Sequence, residues 1–363
     1  MDFALHEDQL ALQGTVREFL AERYPVERVA QIADGEGFEA GGWSEVAGLG
    51  WTGVSVPEEA GGLGMGFVEE AVVLEQLGYA LFPGPFFSSV TMALPALAGN
   101  GELLERVVSG KSAATVAWAG ADGEFRTADL DVTAERAGDG WRLSGAAMFV
   151  PDLAVADLVV VAAQAPDEPG LYAVERDGDG STWGALPTVD TTRPVGRLVL
   201  DGAPARQLAT AGEAEDLLPA IRDRALAGLA AEAVGVAQRA LDLAVGHAKH
   251  REQFGRPIGV YQAVSHILSD SFVEVESARS LAYWAAWAVA NDSDDAPEAA
   301  AAAKSYASEA AVDACERAIQ VHGGIGFTWE HPLHRFYKRA LWISAFMGWP
   351  AAHRSRIAAS LLD

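Results

Sequence analysis

The feature that most constrains the fold of this 363-residue chain is a change of sequence pattern along its length, from helical to strand-like and back to helical. Residues 211–363 are rich in alanine, and their apolar residues recur at helical spacing in stripes that begin at Leu226 and Val264. A polar break at residues 291–297 and then Pro332 separate the helices that follow. The pattern predicts four long helices with short links, which is typical of a helical bundle.

The middle of the chain, residues 112–210, has a different pattern. Gly, Asp and Pro separate short runs of β-forming residues at intervals of about ten positions. These runs are residues 113–118, 141–144, 158–163, 171–174 and 197–200. Gly138-Asp139-Gly140 before Trp141 is typical of a hairpin turn. Together these features predict a small antiparallel barrel or sandwich.

The first 111 residues are again helical in pattern. Apolar residues recur near helical spacing from Phe3 to Leu20, and Pro25 follows the predicted end of this helix at Tyr24. A second helical pattern begins at Phe67 after a glycine-rich loop. The predicted fold class is therefore α+β, with an N-terminal helical domain at 1–111, a middle antiparallel β-barrel domain at 112–210 and a C-terminal four-helix bundle at 211–363.

Composition argues against several classes of function. The chain has 26 lysines and arginines against 51 acidic residues, a net charge of −25, so phosphates are repelled over most of its surface. This argues against nucleic acid and anionic membranes as partners. Cys315 is the single cysteine, which rules out an intramolecular disulfide and a cysteine-based metal site. With no signal-peptide pattern and no run of roughly 20 apolar residues, we expect a cytoplasmic protein without membrane insertion.

Two glycine-containing turns carry the strongest functional signal. Residues 251–257 read Arg-Glu-Gln-Phe-Gly-Arg-Pro between the first two bundle helices, and residues 320–324 read Gln-Val-His-Gly-Gly at a helix end. Each alone is typical of an interhelix turn, because glycine ends a helix and proline prevents its continuation. Bare backbone of this kind also lets a phosphate or a ring system approach closely.

Four histidines lie near these turns. His247 and His250 lie on one helical face but have no third ligand nearby in sequence, so we expect no metal site. His322 and His331 are interpreted as turn and packing residues rather than general bases.

Taken together, the two turns resemble the acyl-CoA dehydrogenase family, in which an Arg-x-x-Phe-Gly turn of one subunit and a Gln-x-x-Gly-Gly turn of its neighbour hold FAD. Residues 51–64 resemble the N-terminal signature of the family, and residues 233–255, with Gln262 and His266 beyond, resemble its first bundle helices. The likeness covers nearly the whole chain. It implies α,β-desaturation of an acyl-CoA thioester in lipid or steroid catabolism, with the α-proton taken by a carboxylate and the β-hydride passed to the flavin.

The resemblance also implies partners and cofactor-binding residues. The implied partners are an acyl-CoA substrate, an electron-transfer flavoprotein and further subunits in a homodimer, a homotetramer or a hetero-oligomer. The flavin-facing Trp and Thr of the family fall on Phe149 and Pro151; Phe149 can still pack on an isoalloxazine face, but Pro151 has no N–H to donate. The residues implied to bind FAD are Arg251, Gln253, Phe254, Gln262, Phe149 and, from the partner subunit, Gln320, Gly323 and Gly324.

The usual catalytic glutamate of the family falls on Met347, whose thioether cannot take a proton. Two carboxylates are candidates for a displaced base. Asp223 lies near the start of the first bundle helix, where some family members carry the base, and Glu232 lies on an alanine-rich helical face. The competing interpretations are ion pairing of Asp223 with its neighbouring arginines, and a solvated face or a bundle ion pair for Glu232.

Two further alternatives stay open from the sequence. The chain is either an enzyme with a displaced base or the base-lacking subunit of a hetero-oligomer, paired with a catalytic homologue as the family does for bulky steroid-like thioesters. We favour the second. The alternative from another class is a non-redox acyl-CoA-binding or scaffolding protein that has lost flavin chemistry.

Overall fold

The computed structural model describes residues 5–35, 37–127, 129–138, 140–166, 169–176 and 178–362. Phe3 and Asp139, which the predicted first helix and hairpin include, lie outside these residues. In the described part of the chain, helices are followed by strands and then by helices, so the predicted fold class is confirmed. The N-terminal helices are α1 (Glu7–Arg23), α2 (Val26–Asp34), α3 (Ala40–Gly48), α4 (Phe67–Ala80), α5 (Leu94–Leu97) and α6 (Gly101–Val108).

Seven strands of the described residues form one sheet. They are β1 (Ala114–Ala117), β2 (Val132–Ala137), β3 (Gly140–Pro151), β4 (Leu158–Gln164), β5 (Pro169–Glu175), β6 (Ser181–Leu186) and β7 (Val195–Ala209). The pairing order β1-β4-β2-β3-β7-β5 closes through a second pairing of β4 with β5, which makes a barrel, and β6 pairs with β7. Ala137 lies opposite Gly140 across the β2–β3 hairpin, as predicted.

The barrel departs from the sequence prediction in two respects. Most pairings are antiparallel, but β1 runs parallel to β4, with Ala114 opposite Leu158, because the β2–β3 hairpin lies between them in the chain and supplies the crossover. β2 and β6 were missed. Their residues alternate between more and less exposed positions and carry few large apolar side chains, so their apolar pattern is weak.

The C-terminal part contains five helices in the described residues rather than the predicted four. They are α7 (Ala211–His250), α8 (Gln262–Ala290), α9 (Ala296–His322), α10 (Leu333–Ala345) and α11 (Pro350–Leu362). The two-residue strands β8 (Glu252–Gln253) and β9 (Arg256–Pro257) form a small hairpin between α7 and α8. The predicted last helix is interrupted because Met347 and Gly348 have φ of 58° and 107°, outside the helical range, and Pro350 restarts the helix.

Contacts divide the chain into two compact units. One comprises the described residues of Met1–Asp34, Phe67–Phe82 and Leu226–Asp363, and the other those of Gly35–Gly66 and Pro83–Ala225. The predicted domain boundaries after residues 111 and 210 both fall within the second unit, so the three-domain division stays a prediction. No described helix is long and apolar enough to cross a membrane.

In the first unit, α4 and α7 approach each other to backbone contact. A Cβ on Gly235 would lie 1.9 Å from the Glu75 carbonyl oxygen, and a Cβ on Gly78 would lie 2.2 Å from that of Glu232. A buried network links the same helices to α8, since Arg279 of α8 pairs with the Glu75 carboxylate of α4 and donates to Gln238 Oε1 of α7 (2.7 Å). The Tyr283 hydroxyl also donates to Glu75 (2.8 Å). Glycine at the crossing therefore permits the approach on which this network depends.

Candidate active site

The first turn, between α7 and α8, presents an exposed aromatic ring. Phe254 has φ of 54° and is 92% exposed, and Gly255 follows with φ of 77°. The turn is fixed from behind, because Ile258 N–H donates to the Arg251 carbonyl oxygen (2.8 Å) and the Tyr261 hydroxyl donates to that of Gln253 (3.1 Å). The backbone thus holds Phe254 outward with few contacts of its own, apart from an edge-on contact with Tyr261.

The second turn, at the end of α9, exposes bare backbone. Gly323 has φ of 64°, and a Cβ added at Gly323 or at Gly324 would meet no atom within 4 Å. Gly326 differs, since its Cβ would lie 2.7 Å from the Ile319 carbonyl oxygen, so that glycine serves packing. Gly323 and Gly324 therefore leave open space beside their peptide groups, which a ligand phosphate or ring requires.

A row of histidine rings joins the two turns within one chain. His247 stacks on His322 with ring centroids 4.3 Å apart, and His322 lies 4.4 Å from His331. Burial, together with the charge repulsion of His322, lowers the pKa of His331 to about 4, and burial also lowers the pKa of His247 and of His322. The rings are therefore neutral at neutral pH and pack against one another, with Arg251 one helical turn beyond His247.

An exposed apolar patch surrounds the second turn. We define this turn patch as Ile325, Phe327 and Trp329, which are 51%, 79% and 72% exposed. Lys338 Nζ lies 4.3 Å above the Trp329 ring and caps one side of the patch. Large apolar side chains grouped at the surface in this way mark interaction sites.

The segment that carries Met347 is held by two buried groups. Lys304 is fully buried, and its Nζ donates to the carbonyl oxygens of Ser344 and Gly348, both at 3.3 Å. His353 Nε2 lies 3.1 Å from the same Gly348 oxygen. Burial lowers the pKa of Lys304 to about 7. These contacts hold Met347 in a left-handed conformation that costs of order 1–3 kcal/mol for a non-glycine residue, a feature typical of functional turns.

The two candidate bases both lie in ion pairs. Asp223 is 6% exposed and accepts a 3.1 Å hydrogen bond from Arg222 Nε, so the pairing interpretation holds, although the pair is more buried than the sequence suggests. Glu232 is fully buried and pairs with the equally buried Arg339 of α10. Each carboxylate therefore already has a cationic partner, and their assignment as bases stays a prediction.

Phe149 and Pro151 lie in the β-barrel unit. Phe149 has φ of 53° and is 40% exposed, at a bulge in the pairing of β3 with β7. The Pro151 carbonyl oxygen accepts a 2.5 Å hydrogen bond from the Thr115 hydroxyl. Phe149 therefore keeps an accessible ring face, as its predicted role beside a flavin requires.

Lys304 and His353 are site residues that sequence reasoning missed. Lys304 follows a run of five alanines in α9, and one charge in such an apolar stripe signals a buried partner. His353 has no comparable sequence signal, because its contact depends on how α11 starts after the Met347 turn.

Family models match both ends of the chain. The acyl-CoA dehydrogenase N-terminal domain matches residues 6–110, and the acyl-CoA dehydrogenase C-terminal domain matches residues 224–362. Acyl-CoA dehydrogenase IpdE2 of Mycolicibacterium smegmatis is 31% identical over 366 residues, which cover 98% of this chain and 100% of IpdE2. Acyl-CoA dehydrogenase FadE34 of Mycobacterium tuberculosis is 35% identical over 88% of this chain, but the chain spans only 43% of FadE34.

Solved structures similar to this chain point to the same family. A variant of the Tcur3481-Tcur3483 steroid ACAD superposes with a TM-score of 0.87 at 35% identity, covering 98% of each chain. The ChsE4-ChsE5 complex from Mycobacterium tuberculosis has a TM-score of 0.90 at 30% identity, covering 100% of this chain and 99% of the other. The chain belongs to the acyl-CoA dehydrogenase family. It is therefore an oxidoreductase that acts on CH–CH groups, and FAD is the cofactor of its class.

Proposed function

We propose that this chain is the FAD-binding, base-lacking subunit of a hetero-oligomeric acyl-CoA dehydrogenase, and that a homologous subunit supplies the base. The proposed substrate is the CoA thioester of a bulky steroid-like acid. The observation that carries the proposal is at Met347: Lys304 and His353 hold its segment in a left-handed turn of the kind found at functional sites, yet the side chain there cannot take a proton. The two candidate bases, Asp223 and Glu232, are both paired with arginines.

The residues of the two turns fit a dinucleotide cofactor. Open space beside Gly255, Gly323 and Gly324, where no atom lies within 4 Å of an added Cβ, accommodates a pyrophosphate or an adenosine ring. Arg251 supplies positive charge, and the exposed Phe254 ring supplies a stacking face. The histidine row brings both turns together in one chain, so one chain can present both turns to a single cofactor molecule; we propose that this molecule lies at a subunit interface.

The chemistry divides between the cofactor and the protein. FAD, when bound, supplies the hydride acceptor. Arg251, Gln253, Phe254 and Gln262 on one side, and Gln320, Gly323 and Gly324 on the other, bind and orient it. Met347 contributes its backbone N–H as a donor to the thioester oxygen, which stabilises the enolate that forms as the α-proton leaves. The proton itself goes to a carboxylate of the homologous subunit, desolvated so that its pKa rises toward that required of a base.

Two observations support a partner subunit. The turn patch leaves three large apolar side chains at the surface beside the cofactor turns. The ChsE4-ChsE5 structure is a complex of two named subunits, and the Tcur3481-Tcur3483 enzyme, which is also named as a pair, is a steroid ACAD. An electron-transfer flavoprotein is the proposed electron acceptor.

Co-expression with a homologous subunit encoded in a neighbouring gene tests the proposal. The chain alone should be yellow or should bind added FAD, and its flavin should not bleach with a panel of fatty-acyl and steroid-acyl CoA thioesters. The co-expressed pair should bleach with a steroid-acyl thioester. A chain that neither holds nor takes up FAD would refute the proposal, as would bleaching by the chain alone.

The displaced-base alternative needs its own variants. If Asp223 is the base, Asp223→Asn should abolish bleaching by the chain alone, while Asp216→Asn, an exposed carboxylate on the same helix, should leave it unchanged. Glu232 is better tested as Glu232→Leu with Arg339→Met, because the single change leaves a buried charge unpaired. Bleaching that survives in both variants would exclude both residues.

A further inference from the structure

The first unit contains a cavity that the proposed function does not use. Its volume is about 270 Å³, larger than the ~150 Å³ apolar cavity that is known to hold benzene. Residues from α1, α2, α4, α7 and α10 line it, and none of them belongs to the candidate active site. The lining residues that matter here are Arg17, Gln76, Tyr79, Arg239 and, on the apolar side, Leu20, Tyr24 and Phe336.

Two arginines that line this cavity contact the ring of one tyrosine. The Arg17 and Arg239 guanidinium carbons lie 4.6 Å and 5.0 Å from the Tyr79 ring centroid. Arg17 Nε donates to Gln76 Oε1 (3.0 Å), and Arg239 Nη1 donates to the Tyr79 hydroxyl (3.1 Å). Tyr79 in turn donates to Asp242 (2.9 Å), so the tyrosine hydroxyl bridges Arg239 and that carboxylate. Among the described residues, neither arginine is in an ion pair.

A buried donor lies in the wall of the same cavity. Gln76 is 1% exposed, and its amide nitrogen has no hydrogen-bond partner among the described residues. Its orientation is fixed, because Oε1 must accept from Arg17 and Nε2 is therefore the free donor. A buried donor without a partner is unfavourable, and an acceptor bound in the cavity would remove that cost.

The lining of the cavity thus combines hydrogen-bond donors with apolar side chains. Two guanidiniums and one amide N–H₂ suit a carboxylate, whose two oxygens accept several hydrogen bonds. Leu20, Tyr24 and Phe336 suit a hydrocarbon or aromatic body. The Glu27 carboxylate also lines the cavity and disfavours a dianion. We propose that this cavity binds a small organic monocarboxylate, held by Arg17, Arg239 and Gln76 Nε2.

Calorimetric titration of the purified holoprotein with benzoate, benzamide and inorganic phosphate, all at one ionic strength, tests the assignment. Benzoate should bind saturably, and benzamide, which has the same shape without the charge, should bind about ten-fold more weakly or worse. Absence of saturable benzoate binding would overturn the proposal. Phosphate binding as tight as that of benzoate would overturn the organic-acid assignment, because it would mean a general anion site.

Variants locate the binding. Arg239→Met and Gln76→Leu should each weaken benzoate binding about ten-fold, whereas Arg197→Met, an exposed arginine on β7, should not change it. Gln76→Leu preserves the helix and approximately the side-chain volume, so it still tests the binding site if Arg239→Met does not fold. Benzoate affinity that is unchanged in Gln76→Leu would refute the site. Flavin content, read from the visible spectrum, should stay the same in all variants, which separates this site from the cofactor turns.

Discussion

The ion pair of Glu232 with Arg339 is costly to break, because both side chains are fully buried. Each of two buried opposite charges is stabilised by the other, so removing one destabilises the fold much more than replacing both with apolar side chains. Glu232→Gln should lower the free energy of unfolding by about 3–5 kcal/mol. The double variant Glu232→Leu/Arg339→Met should lose much less than the sum of the two single changes.

Urea unfolding followed by circular dichroism measures these differences. Glu309→Gln is the matched control, because Glu309 pairs with Arg354 at the surface and the loss there should stay within about 1 kcal/mol. Single changes that simply add up in the double variant would contradict the buried-pair interpretation.

Lys304 gives a pH dependence of known sign. Its pKa is about 7 in the folded chain and 10.5 ordinarily, so between these values the unfolded chain holds more protons. The free energy of unfolding should therefore rise with pH across this window, and Lys304→Met should remove that rise. Burial raises the pKa of Cys315, which acts in the opposite sense above about pH 9, so unfolding is best compared between pH 7 and 9.

The matched variant for this comparison is Lys111→Met, since Lys111 is an exposed lysine. It should leave the slope between pH 7 and 9 as it is in the unaltered chain. A slope that Lys304→Met does not change would mean that Lys304 does not hold the Met347 turn as a buried amine.

At the scale of elements, the crossing of α4 and α7 depends on glycine. Gly235→Ala places a methyl group 1.9 Å from the Glu75 carbonyl oxygen, so the helices must separate, at a cost of about 1–3 kcal/mol. Gly246 lies on the same helix, and a Cβ added there would meet no atom within 4 Å. Gly246→Ala should raise the free energy of unfolding by up to about 1 kcal/mol, because alanine favours the helix more than glycine does. Equal melting temperatures for the two variants would contradict this packing.

The histidine row at the ends of α7 and α9 predicts sensitivity to acid. The pKa of His331 is about 4 in the folded chain against an ordinary 6.5, so the unfolded chain binds more protons between these values. The free energy of unfolding should fall as the pH falls from 6.5, and Arg251 adds to the repulsion at His247.

This acid effect is measured between pH 6.5 and 5, above the range where unfolded carboxylates titrate. His331→Asn should flatten the dependence, whereas His250→Asn, at an exposed position, should not. Loss of bound FAD over the same pH range would connect the row to the cofactor turns. If His331→Asn leaves the pH dependence of the free energy of unfolding unchanged, the histidine row is not its source.

At the scale of the whole molecule, the turn patch predicts assembly. Phe327→Ser and Trp329→Ser should reduce the molar mass found by light scattering to that of a smaller assembly, because the proposed interface loses its apolar contacts. Leu361→Ser, also an exposed apolar residue, should have no such effect. A mass unchanged by both patch variants would place the subunit interface elsewhere.

Sequence pattern anticipated the elements best where periodicity is strong. α1 ends at Arg23, next to the predicted Tyr24, and α4 begins at the predicted Phe67. β2 and β6 were missed because their apolar alternation is weak, and the break at Met347 was missed because backbone strain there is imposed by distant contacts from Lys304 and His353. Both glycine turns lie where the sequence predicts them because their signal is local, and the assignment of their residues to the cofactor stays a prediction.

The sequence by itself determined the order of helical and β regions, the family and with it the cofactor class, because helix and strand periods and the two glycine turns are local properties of the chain. Tertiary structure decided which charges are buried together. Glu232 pairs with Arg339, which lies 107 positions away in the sequence, and Lys304 donates to the carbonyl oxygen of Ser344, 40 positions away. Gln76 and Arg17, 59 positions apart, line the same cavity. Local patterns do not encode such partners, since side-chain electrostatics and burial depend on how distant helices pack.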